Sequence, residues 1–215
     1  VRTMPDQKFE QAIRQVHHDV QNNGQMMLSL ACDNHKFIVH RDGMIQIETD
    51  PTAGEAAVSA LTGYGAQILP RFGSGANTKV SRALEGGWLP VHVTTVEDGD
   101  IHYTQRTFAA PFGERPGARI RWLESRGLGV AEFSAVNTGG RPASVHLELS
   151  LFTAADKGEK AAIRKRGDDF DALAGDRLLL SISTAKCAPL TPAAKDGTVI
   201  LSGTLQPGEK ATLTA

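Results

Sequence analysis

Apolar and polar side chains alternate along much of the chain, most cleanly over residues 145–152, VHLELSLF, where Val145, Leu147, Leu149 and Leu151 alternate with His146, Glu148 and Ser150. A period of two places the first set on one face of a β-strand and the second on the other, so one face belongs to a core. Residues 88–112 carry β-branched and aromatic side chains on both sides of Asp98-Gly99. Asp-Gly tolerates the positive φ angles of a type I′ turn, which predicts a β-hairpin with Val96 opposite Ile101, Thr94 opposite Tyr103, Val93 opposite Thr104 and Leu89 near Phe108. Further strands are expected to lie against this hairpin.

Residues 37–47 read as a tight hairpin around Arg41-Asp42-Gly43, preceded by the short apolar run Met26, Met27, Leu28, Leu30 and Ala31. Weak strand signals occupy residues 66–72, inside a stretch from 50 to 80 rich in Gly, Ala, Ser and Pro. Beyond a Gly- and Pro-broken loop at 113–117, strands are expected at 118–122 and at 129–136, the second with Ala131, Phe133 and Ala135 on one face. Others follow at 178–183, 198–202 and 211–214, the last two joined through Gln206-Pro207-Gly208, a type II turn candidate. Charged, glycine-containing residues 156–176 predict an excursion between strands with a helical turn near 160–165.

One segment has a different period. Over residues 5–22, Phe9, Ile13, Val16 and Val20 recur at three- and four-residue spacing with Asp6, Lys8, Glu10, Arg14 and Asp19 opposite, which predicts an amphipathic helix. Asn23-Gly24 supplies the left-handed conformation that closes helices. The sum is a mainly β fold: one N-terminal α-helix over 1–24, then a single domain over 25–215 in which about ten short strands form a two-sheet antiparallel β-sandwich.

At 215 residues the chain can bury a core without metal or disulfide staples. Its formal net charge of −1 gives no overall field toward nucleic acid or an anionic membrane, and neither is expected as a partner. No apolar run approaches the roughly 20 residues that span a bilayer. Cys32 and Cys187 are open to two readings, free thiols or a single bridge. The chain begins at Val1 and ends at Ala215 within a strand pattern, and is expected to be a piece of a longer protein.

Candidate chemistry is sparse. Seven histidines are scattered without an HxH or HxxxH pair beside an acid, so no metal is expected; no cofactor is expected either. His92 and His102 fall on opposite faces of the central hairpin. Asp168, Asp169, Asp171 and Asp176 lack the spacing of a calcium loop. Glu97, Glu124, Glu132 and Glu148 could supply acids for glycoside hydrolysis, but nothing local pairs two of them. His102, Tyr103 and Glu132 are the catalytic candidates, as a base or acid for proton transfer on a sugar. Trp88, Tyr103, Trp122 and Tyr64 are aromatic platforms able to stack on sugar rings, with core packing as the competing role of the tryptophans.

The runs LPVHVTTVEDGDIHYTQRTFAAPF, VAEFSAVNTGGRPASVHLELSLF and LQPGEKATLTA carry a Y-x-Q-x-x-F, x-x-N-x-G-x-x-P-x-x-V-x-L and L-x-P-G-E pattern through Tyr103, Gln105, Phe108, Asn137, Gly139, Pro142, Val145, Leu147, Leu205, Pro207, Gly208 and Glu209. Over about half the chain this resembles the non-catalytic β-sandwich, of the galactose-mutarotase-like supersandwich kind, found ahead of (α/α)6-barrel glycoside hydrolases such as α-L-rhamnosidase-like and other six-hairpin enzymes. The motifs are turn and core residues. The resemblance implies a module that orients a catalytic helical barrel of the same chain, with acid and base in that barrel and a poly- or oligosaccharide as substrate. It also implies a secreted or periplasmic parent. The N-terminal helix and residues 50–80 are not covered by it. The alternatives are a self-contained sugar epimerase or lyase using His, Glu or Tyr103, and a carbohydrate-binding domain using Trp88 or Trp122.

Overall fold

The computed structural model describes Lys8, Gln11 and residues 24–30, 36–47, 66–75, 79–112, 127–153 and 159–215. The expected helix lies almost wholly outside the described residues, as do the expected strand at 118–122, most of 50–80, and Cys32, Tyr64, Trp122 and Glu124.

The described chain is mainly β. Its strands are β1 (Met26–Leu28), β2 (Phe37–Val39), β3 (Ile45–Ile47), β4 (Ala66–Phe72), β5 (Lys79–Glu85), β6 (Leu89–Asp98), β7 (Ile101–Pro111), β8 (Gly127–Asn137), β9 (Ala143–Phe152), β10 (Ala162–Arg166), β11 (Asp169–Ala174), β12 (Arg177–Lys186), β13 (Thr191–Lys195), β14 (Thr198–Leu205) and β15 (Lys210–Thr214). They form two antiparallel sheets. A seven-stranded one runs β1-β2-β3-β4-β9-β14-β13, and an eight-stranded one runs β10-β11-β12-β15-β8-β7-β6-β5. The chain passes between sheets at β4–β5, β8–β9, β9–β10, β12–β13 and β14–β15, so neither sheet is built from one continuous stretch.

Alternation decides which face each strand buries. Val145, Leu147, Leu149 and Leu151 of β9 face inward, against Tyr103 of β7, Ala131, Phe133 and Ala135 of β8, and Leu213 of β15. The two sheets therefore share one buried core, the arrangement of a β-sandwich. Phe72 bridges them: its ring lies 5.7 Å from Tyr103 and 6.4 Å from Phe133. A smaller cluster of Leu28, Phe37 and Val39 seats the β1–β3 end.

The central hairpin forms, in a register two residues from the expected one. Asp98 pairs with Ile101, Val96 with Tyr103, Thr95 with Thr104, Thr94 with Gln105 and Val93 with Arg106. Gly99 and Asp100 are the loop residues, and Gly99 takes φ +60°, the glycine-first pattern of a II′ turn. The reason is that Asp98 is engaged elsewhere: its carboxylate accepts the Ser74 N–H at 2.7 Å and the Ser74 hydroxyl at 3.2 Å. A two-residue shift preserves parity, so every side chain keeps its expected face. The Asp-Gly pair that does close a loop with both φ angles positive is Asp196-Gly197, at +48° and +67°, between β13 and β14.

The hairpin at 37–47 is present, with Phe37 opposite Ile47 and Val39 opposite Ile45. At Gln206-Pro207-Gly208 the Glu209 N–H donates to the Gln206 carbonyl at 3.0 Å and Gly208 has φ +79°, as a type II turn requires. The expected helical turn near 160–165 is instead strand: Lys160 bridges Phe152, and β10 pairs with β11 across Gly167. Arg164 and Arg166 stand on this edge strand, where charge discourages further strand pairing. Strand β13 was likewise not expected; it too is an edge, which its Pro192 tolerates.

Asn137 ties two of the three motif segments together. Fully buried, it donates from Nδ2 to the Arg141 carbonyl at 2.7 Å and to the Leu205 carbonyl at 2.8 Å, and its Oδ1 accepts the Gly139 N–H at 2.9 Å. Its backbone carbonyl accepts the Gly208 N–H at 2.9 Å. The β8–β9 and β14–β15 turns thus hang on one side chain. Asn137→Ala, which orphans both carbonyls, is expected to cost about 1–3 kcal/mol in urea denaturation. Asn137→Asp, which opposes a carboxylate to them, should cost at least as much; a loss below ~0.5 kcal/mol, the range of ordinary surface substitutions, would show the tie to be dispensable.

Candidate functional site

The three catalytic candidates from the sequence are not brought together. Tyr103 points into the core, where it is 1 % exposed, and its hydroxyl oxygen accepts the His146 backbone N–H at 3.2 Å. Burial raises its pKa above the ordinary phenol value, which suits a neutral packing residue better than a base. His102 and Glu132 share the outer face of the eight-stranded sheet, opposite Val136 and Arg106 respectively. That leaves them four residues apart along the ladder, roughly 13 Å at the usual rise. Glu132 is held by Arg106, which also binds Glu85 at 2.7 Å and lies 5.8 Å over the Phe108 ring.

Among the remaining candidates, Trp88 sits between β5 and β6 and is partly exposed. Cys187 is a buried free thiol that donates to the Thr212 carbonyl at 3.4 Å; burial, then Asp169, pushes its pKa up to about 11, far from nucleophilic use at neutral pH. Asp171 accepts from Ser181 at 2.9 Å and from Arg164 and Arg166, both at 3.2 Å. The Ser181 bond leads in holding its pKa below the ordinary carboxylate range, with the arginines adding to it. This set fastens β10 to β11 and β12. Among the described residues no three His, Cys, Asp or Glu side chains gather as a metal requires, and no helix is long and apolar enough to cross a membrane.

The site that the topology does assemble is a cleft of about 570 Å³ at the end of β4. Its rim comprises Arg41 and Asp42 from the β2–β3 turn, Arg71 and residues 73–75 from the β4–β5 turn, and His146 and Glu148 of β9. Phe72, Val80, Thr94 and Val96 line it too. The turn at 73–75 is fastened on both sides, by Asp98 as above and by the Gly73 N–H donating to the His146 carbonyl at 2.8 Å. A Cβ on Gly73 would fall 1.9 Å from the Asp98 carboxylate, so only glycine fits. His146 Nε2 lies 2.8 Å from Glu148 Oε1, and Arg71 Nη1 lies 3.7 Å from Glu148 Oε2.

Beneath the rim, the inner face of the eight-stranded sheet turns polar. Arg82 of β5 pairs across to Thr94 of β6 and Thr94 to Gln105 of β7, while His92 pairs with Thr107; all five are buried. Gln105 Nε2 donates to the Gly43 carbonyl at 2.9 Å and to Thr107 Oγ1 at 3.1 Å, and Arg82 donates to the Gly24 carbonyl at 3.0 Å. Two atoms of this row, His92 Nε2 and Gln105 Oε1, have no hydrogen-bond partner among the described residues. Burial, followed by the positive charge of Arg82, lowers the His92 pKa to about 4, so the imidazole is neutral at pH 7. The alternation signal could not mark this row, because His, Thr and Gln at inward positions read as breaks in a hydrophobic pattern.

The His92 shift sets a pH dependence. In the unfolded chain His92 takes up a proton near pH 6.5, and in the folded chain only near pH 4, so between those values the unfolded state binds more protons and stability drops as the pH is lowered. The His92 contribution is fully present above pH 6.5 and is expected to fall by up to about 1.4 kcal/mol per unit below it. Urea midpoints from pH 7 to pH 4 should decline less steeply in His92→Gln than in the parent; parallel curves would mean that His92 is not buried neutral.

No family model matches this chain, and no curated protein matches it.

Proposed function

We propose that this chain is a non-catalytic β-sandwich module, of the supersandwich kind, of a carbohydrate-active enzyme, and that it packs against and orients a catalytic (α/α)6 barrel. The observation that carries the reading is the use to which the motif residues are put. Tyr103 anchors β7 to β9, Gln105 holds the β2–β3 turn, and Asn137 ties two turns, one of them the turn that Pro207-Gly208 closes. Every one maintains shape. The acids Glu132 and Glu148 are each engaged by an arginine, rather than held as a separated pair for acid and base roles.

The outer face of the eight-stranded sheet adds a second support. Toward the far end of the β7–β8 ladder, Phe108 lies opposite Val130 and Ala110 opposite Leu128, on the same side as Arg106. Leu128 is 46 % exposed, and Phe112, just past the ladder, is 68 % exposed. A flat apolar block beside a Glu-Arg-Glu group is suited to packing on another domain, with the charges fixing register at its rim. In this reading the parent acts on a poly- or oligosaccharide outside the cytoplasm.

Two substitutions in the natural full-length protein test it. Leu128→Asp and Phe108→Asp are expected to leave the sandwich folded while separating its thermal transition from that of the barrel and reducing hydrolytic activity. A full-length sequence encoding no helical barrel would overturn the proposal. Turnover of aldoses or uronate polymers by this chain alone would replace it with a self-contained epimerase or lyase.

A further inference from the structure

We infer that the cleft at the end of β4 is a saccharide-binding site, taking a neutral, hydroxyl-rich chain segment on the sandwich itself. This deepens the carbohydrate reading but uses different residues from the docking face.

Size comes first. About 570 Å³ falls inside the roughly 300–1,000 Å³ of small-molecule sites. Its lining is two-sided in character. Val80 is 49 % exposed although it lies on the same side of β5 as buried Arg82, and β5 is an edge strand. With Phe72 and Val96 it gives an apolar surface of the kind that the C–H face of a sugar ring packs on. The same lining holds groups that exchange hydrogen bonds with vicinal hydroxyls: the Arg71–Glu148–His146 set and the hydroxyl of Ser74.

Charge selects the ligand class. Arg41 and Arg71 are balanced by Asp42 and Glu148, so neither an anion nor a cation gains a net field. A phosphate or uronate would meet Glu148, whose carboxylate is hydrogen-bonded to His146 and ion-paired with Arg71. A neutral ligand bearing donors and acceptors together satisfies the set without displacing the ion pair. The floor supplies a second argument. Thr94 is the point where the cleft meets the buried polar row, whose Gln105 Oε1 lacks a partner among the described residues. Unsatisfied buried groups are costly and native structures keep few; Gln105 is the cross-strand neighbour of Thr94, which lines the cleft.

Titration of the isotope-labelled chain with neutral di- to tetrasaccharides, followed by amide shifts, tests the assignment. Saturable shifts are expected at Ser74, Gly75, Val80 and Thr94 with at least one gluco-, manno- or galacto-configured series. Arg71→Ala and Glu148→Ala should each weaken binding about tenfold or more, and the same spectra report whether each variant is folded. Ser74→Ala provides a milder variant should either fail. Leu128→Asp, on the docking face, should leave the titration unchanged. Absence of saturable shifts with every neutral series, shifts indifferent to all three cleft variants, or saturation by galacturonate oligomers or inorganic phosphate alone would overturn the inference. None of those outcomes would alter a barrel that still couples to the sandwich, so the two readings fail separately.

Discussion

The structure depends on closing one apolar core between two sheets whose strands alternate in sequence. Leu147 and Leu149 of β9 meet Phe133 of β8, and Phe72 fits between Tyr103 and Phe133. Each fully buried large side chain contributes about 1.5–3 kcal/mol, and dozens of such positions offset the entropy of ordering the chain. Because the chain passes from sheet to sheet, the pairings β4–β9, β9–β14, β12–β15 and β8–β15 join strands that are not consecutive in sequence. β15, at the C-terminal end of the described chain, lies between β12 and β8; the eight-stranded sheet is therefore continuous only once the last strand is in place.

Polar anchors within that core fix its geometry. The Tyr103 hydroxyl and the Asn137 amide reach backbone groups of the opposite sheet or its turns, and each is satisfied. The row Arg82, His92, Thr94, Gln105 and Thr107 differs, since among the described residues it leaves His92 Nε2 and Gln105 Oε1 without a partner. A sandwich selected for stability alone would replace such a row with Val and Leu. Its position against the cleft is the physical reason to connect it with ligand rather than with packing.

The two outer faces behave differently again. Arg106 between Glu85 and Glu132, and Asp171 among Arg164, Arg166 and Ser181, neutralise charge on the sheet surface. The half-exposed Arg106 pairs contribute little to stability individually, whereas Asp171 is buried within its set. Their effect is to leave the apolar block around Leu128 as the distinct feature of its face.

Alternation by itself settled a good deal. The inward faces of β8 and β9, the hairpin at 37–47, the Pro207-Gly208 turn and the opposite facing of His92 and His102 were all legible, because each follows from a period of two or from local turn chemistry. Charged edge strands were not, since β10 and β13 alternate without a hydrophobic set. The central hairpin's register was decided by Asp98, whose partner Ser74 lies on another turn. The cleft was invisible for the same reason: Arg41, Arg71, Val80 and His146 belong to separate segments, and only the crossing of β4 into the second sheet brings them to one place. Local periodicity determines which face a residue takes, whereas the meeting of distant faces is decided by how the sheets pack.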